Sequence, residues 1–125
     1  MAIFEWESRV LQDLVSFLRE EMLRRIPSVT AAFVFGSVAR GDMGPASDID
    51  VAVLCPAEAT EGVTVALEEI SERVGERFGN QLSVIVADAS LDELQTPRRS
   101  GSRLWRRIVR EGIPVIEPRE APVGG

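Results

Sequence analysis

The chain has no histidine, no tyrosine and, because all fourteen of its basic residues are arginine, no lysine; it has one cysteine, Cys55. Each absence removes a class of chemistry. Without histidine the commonest general base is missing, and without lysine there is neither a Schiff-base amine nor an ammonium to clamp phosphate. A single cysteine forms neither an internal disulfide nor a cysteine metal cluster, and its place between Leu54 and Pro56 reads as a small core residue. No apolar run reaches the roughly 18 residues of a membrane span, and the segment Met1 to Glu7 lacks the basic and then apolar layout of a secretion signal. The expectation is a cytoplasmic protein with no membrane segment. Carboxylates, hydroxyls, arginines and bound metal are left to do any chemistry.

What is present bounds the chain further. At 125 residues it has the length of one domain with a core of its own, expected over 1–117, with 118–125 as a disordered tail. A net charge of −6 argues against a protein that holds nucleic acid through a broad basic surface, and favours a small-molecule or protein ligand. The arginines are unevenly spread. Arg98, Arg99, Arg103, Arg106, Arg107, Arg110 and Arg119 crowd the C-terminal end, which reads either as a solvated helix face or as a docking surface for an acidic partner or RNA. The sequence leaves homo-oligomerisation open.

The densest information lies between Gly36 and Leu54, GSVARGDMGPASDIDVAVL. An apolar strand-like run, Thr30 to Phe35, precedes it, and Ile49 to Leu54 forms a second one. Side chains alternate along a strand, so Asp48 and Asp50 project from one face with backbones roughly 7 Å apart. Two carboxylates so placed repel unless a cation neutralises them, and two hard oxygen ligands with an open approach suit Mg²⁺. A phosphate site belongs nearby. Gly36 lets the backbone turn tightly after the first strand, Ser37 is suited to cap a helical turn running to Arg40, and backbone N–H groups at such a turn attract anions. Arg40 adds a planar cation for phosphate or carboxylate. The alternative is a polar loop before a strand whose solvent face carries two aspartates.

The string Gly36-Ser37, ten residues, Asp48-x-Asp50, with Ala39-Arg40-Gly41 inside it, resembles the minimal nucleotidyltransferases of the DNA polymerase β-like superfamily. The resemblance is specific over 36–54 and compatible in element order over about 5–117. It implies an enzyme that moves a nucleoside monophosphate, AMP from ATP or another nucleoside triphosphate, to a hydroxyl of a protein or small molecule. Gly36, Ser37 and Arg40 would bind the nucleotide, and Asp48 and Asp50 would act as catalytic and metal-binding residues for one or two Mg²⁺. Small members of this family are often antitoxins paired with a HEPN-type toxin, and some adenylylate a tyrosine on that partner. Family members that transfer nucleotides carry a third carboxylate on the third strand, and the matching position here is Ser83. A catalytically degenerate nucleotide-binding or toxin-binding module is therefore the alternative function.

The remaining segments read as scaffold. Leu11, Leu14, Val15, Leu18 and Met22 form a helical stripe over about 5–25, ended by Pro27, with Arg19, Glu20, Glu21, Arg24 and Arg25 as its solvated face. Pro56 to Gly62 reads as a loop. Val63, Ala66, Leu67, Ile70, Val74 and Phe78 predict a second helix, stopped at Gly79-Asn80, and Leu82 to Ala87 a third strand. A capping box at Ser90 to Glu93 starts a short helix, and 96–101 is a loop. A last helix, about 102–111, turns Leu104, Trp105, Ile108 and Val109 inward, and Ile113 to Glu117 is an edge strand that tolerates Pro114. The predicted fold is α/β, a short mixed β-sheet covered mainly on one face by helices, with the motif on an open edge of the sheet.

Overall fold

In the computed structural model, residues 2–36, 48–87 and 101–120 are described, without the side chains of 2–8 and 101–104. Helix α1 (Ala2–Arg25) leads into strands β1 (Ala31–Phe35) and β2 (Ile49–Leu54), a 3₁₀ turn (Ala57–Ala59), helix α2 (Thr60–Phe78), strand β3 (Leu82–Ala87), helix α3 (Gly101–Glu111) and strand β4 (Ile113–Ile116). The four strands form one mixed sheet in the order β3-β2-β1-β4. β1 pairs antiparallel with both β2 and β4, and β2 pairs parallel with β3. The parallel pair needs a long crossover, which α2 supplies.

The two sheet faces bury different halves of each strand. Ala32, Val34, Ile49, Val51 and Val53 face Leu14, Leu18 and Met22 of α1 and Val63, Leu67, Ile70 and Val74 of α2. Ala31, Phe33, Ala52 and Leu54 face the other way, where Ile108 of α3 is buried with them and Trp105 packs alongside. This alternation explains why β1 and β2 are almost continuously apolar: both of their faces are covered.

Several expectations shift. Pro56 to Gly62 is not a plain loop: the 3₁₀ turn runs straight into α2 at Thr60, whose hydroxyl donates to the Ala57 carbonyl at 3.0 Å. Val109 is exposed on α3 rather than inward. The presumed solvated face of α1 contains a buried charge, since the Glu21 side chain is only 4% exposed and is enclosed by Arg24, Arg25 and Arg73. Arg119 donates from its backbone N–H to the Thr30 carbonyl, and from its guanidinium to the carbonyls of Val29 and Pro27. The expected helix at 90–95 and the 121–125 end of the tail lie outside the described residues. As expected, Gly79 ends α2 in a left-handed conformation (φ 79°) and donates to the Gly75 carbonyl, and Pro114 sits on the edge strand β4.

Candidate functional site

β1 and β2 are the two central strands, so the described ends of the motif, Gly36 and Asp48 to Asp50, sit at the end of the sheet's middle and not on its open edge. Both flanks of the motif are thereby fixed. The register pairs Phe35 with Asp50, the last residue of β1 with the second of β2.

Gly36 follows immediately, and its φ of 73° lies in the left-handed region, where a side chain is strained. Space forbids one as well. A Cβ on Gly36 would run into the Asp50 carboxylate, against Oδ2 and 3.2 Å from Cγ. The position is glycine because a neighbouring strand's carboxylate lies across it. Asp50 is half-buried, whereas Asp48, one residue before β2 begins, is exposed. The two share a face by alternation, and two like charges roughly 7 Å apart repel by about 0.6–2.4 kcal/mol at effective dielectrics from 80 down to 20. That repulsion is small enough for the fold to carry, and a bound cation would relieve it.

β3 completes the described part of the site. Ser83 is the register partner of Asp50 across the parallel pair and therefore projects on the same face. It is exposed. The position beside Asp50 on β3 thus holds a neutral hydroxyl. Among the described residues, no three acidic, histidine or cysteine side chains gather as a metal-binding group. Ser37 and Arg40 lie outside the described residues.

The donor set fits a hard cation with phosphate oxygens. Asp48 and Asp50 offer two carboxylates with one exposed approach, and the bare Gly36 backbone lets the Asp50 carboxylate lie directly against the turn. Sequence reading found each of these residues but not the contact of Gly36 with Asp50. The only signal for that contact is the strand register, which emerges once β1 and β2 pair.

Comparison with known proteins bears on the family and the fold. A sequence model described as "Nucleotidyltransferase domain" matches residues 15–107. No curated protein matches the chain by sequence. Among solved structures, a toxin–antitoxin complex with AMP-PNP is 20% identical, with a TM-score of 0.56 over 82% of this chain and 72% of that one. A mutant of the toxin–antitoxin MntA-HpeT is 18% identical, with a TM-score of 0.53 over 79% of this chain and 69% of that one. At such identities the likeness is one of fold, and it agrees with the mixed four-stranded sheet and its helices.

Proposed function

We propose a function for this chain, which belongs to the nucleotidyltransferase domain family: it binds a nucleoside triphosphate with Mg²⁺ at the Gly36 turn and the Asp48–Asp50 pair, and transfers the nucleoside monophosphate to a hydroxyl on a partner protein. The observation that supports this reading is the seating of the Asp50 carboxylate on the bare Cα of Gly36, which brings a proposed metal ligand against the glycine of the proposed phosphate turn. ATP is the proposed substrate and AMP the transferred group. One structural neighbour was crystallised with AMP-PNP, and the mutant neighbour changes two aspartates two positions apart, the spacing of Asp48 and Asp50.

In this reading Gly36 and Ser37 would offer backbone N–H groups to the β- and γ-phosphates, and Arg40 would add a cation to them. Asp48 and Asp50 would hold Mg²⁺, which supplies neutralisation of the charge developing on the α-phosphate and on pyrophosphate. The acceptor oxygen attacks the α-phosphorus in line, forming the new O–P bond as the bond to the bridging oxygen breaks and pyrophosphate departs. The acceptor proton passes to water, to the triphosphate, or to a group of the partner. The chain has no tyrosine, so a tyrosine acceptor belongs to another protein. Both neighbours are toxin–antitoxin assemblies, which supports an antitoxin role with a toxin partner; a partner of the HEPN type and a cytoplasmic setting are proposed on the family resemblance alone.

A second reading has a specific observation in its favour. Ser83 in the place beside Asp50 suits a module that holds nucleotide and partner without efficient transfer. Calorimetric titration of ATP with and without Mg²⁺, on the chain and on Asp48→Asn, tests the shared premise: binding that needs both the metal and Asp48 is expected, and metal-independent binding unaffected by the substitution overturns it. Transfer of labelled AMP to a co-expressed partner then separates enzyme from binder.

A further inference from the structure

We infer that Ser83 limits this site to a single protein-held divalent ion, the one that arrives with the nucleotide; the inference rests on the proposed nucleotide site. Two-metal sites place their ions within a few ångström of each other and need enough negative ligands to offset four positive charges. The described residues supply two carboxylates, Asp48 and Asp50. A first ion would be held by that pair together with the triphosphate, which brings its own negative oxygens. A second ion, on the acceptor side, gains no such help from the triphosphate's outer phosphates and needs a ligand from the protein.

Among the described residues, strand register identifies where that ligand could come from. Asp50 has two strand neighbours on its own face, Phe35 on β1 and Ser83 on β3. Phe35 is packed against the Ala31, Phe33 and Ile108 cluster and is no ligand. Ser83 is exposed and correctly placed, but its neutral hydroxyl offers no charge and is a poor ligand for Mg²⁺. The rest of β3 gives no substitute, because Val84 and Val86 pack on the opposite core and the next residues on the site face are Ile85 and Ala87. The consequence is a site equipped to grip a metal–nucleotide complex and poorly equipped to activate an acceptor hydroxyl by itself.

The experiment is a count of bound ions. Native mass spectrometry of the full chain with Mn²⁺ and AMP-PNP is expected to show one Mn²⁺ in each nucleotide complex. Ser83→Ala is expected to keep one, because the hydroxyl is not a ligand. Ser83→Asp, checked for retained helix and sheet by circular dichroism, is expected to show two. Two ions in the wild-type complex overturn the inference, as does loss of the ion in Ser83→Ala or a single ion in folded Ser83→Asp. If Ser83→Asp does not fold, the wild-type and Ser83→Ala counts still decide. Absence of any nucleotide complex overturns the nucleotide-site reading instead, and this inference with it, so the two failures look different.

Discussion

Gly36 is held to glycine twice over, by a left-handed φ and by the Asp50 carboxylate that fills the space a side chain would take. Gly36→Ala therefore has to move either the turn or Asp50. A left-handed non-glycine residue costs about 1–2 kcal/mol, and the displaced carboxylate should weaken Mg²⁺·ATP binding by more than this loss of stability explains. A urea midpoint and a binding isotherm on the same variant separate the two effects; unchanged affinity would mean that Asp50 does not face the nucleotide. Glu21 is the second telling residue. Its carboxylate accepts from Arg24 and lies 3.2 Å from Arg73 and 3.7 Å from Arg25, joining α1 to α2. Removing one partner of a fully buried pair costs about 3–5 kcal/mol, but these arginines are 24–64% exposed and regain water, so Glu21→Ala is expected to cost about 1–3 kcal/mol in a denaturation midpoint.

At the scale of elements, local periodicity carried most of the fold. β2 and β3 start and end where their apolar runs do, and α2 ends at Gly79 because a left-handed residue stops a helix there. What periodicity does not contain is the identity of the neighbour. It marks which side of a strand is apolar, yet β1 and β2 are apolar on both sides, so it could not assign α3 to the face opposite α1 and α2, or show that the motif joins central strands. Glu21 was missed for a related reason: it lies three residues after Leu18 and seven after Leu14, on the inner stripe, where its charge outweighed its position. The site was legible as residue types and spacing, and its contacts were not, since Asp50 meets Gly36 and Ser83 only through strand pairing. Gly112 shows how α3 is locked to the sheet. Its N–H donates to the Ile108 carbonyl at 2.7 Å, and a Cβ there would lie 2.5 Å from that oxygen and 3.1 Å from the Val34 carbonyl oxygen. Both obstacles are backbone, so Gly112→Ala must lift the end of α3 from β1. Overpacking of this kind costs about 1–3 kcal/mol; a midpoint unchanged from wild type would show that α3 does not close on β1 in this way.

The whole molecule presents its candidate site at one end of a sheet whose two central strands are fully enclosed by core. The Gly36 turn and the Asp48–Asp50 segment are therefore anchored by Phe33, Val34, Val51 and Ala52, all of them buried, while the carboxylates themselves reach toward solvent. A ligand that bridges the turn and the pair ties together the ends of β1 and β2, and so opposes unfolding of the domain as a unit. Mass action sets the size of that effect: at a hundredfold excess over the dissociation constant, binding adds about 2.7 kcal/mol, which for a domain of this size raises the unfolding temperature by roughly 10 °C. The expected result is a rise of that order with ATP and Mg²⁺ together, little rise with ATP alone, and none attributable to the metal in Asp48→Asn or Asp50→Asn. These variants should unfold near the wild-type temperature without ligand, because Asp48 is exposed and Asp50 only half-buried. An equal shift in wild type and both variants, read by differential scanning calorimetry, would place the nucleotide elsewhere on the molecule.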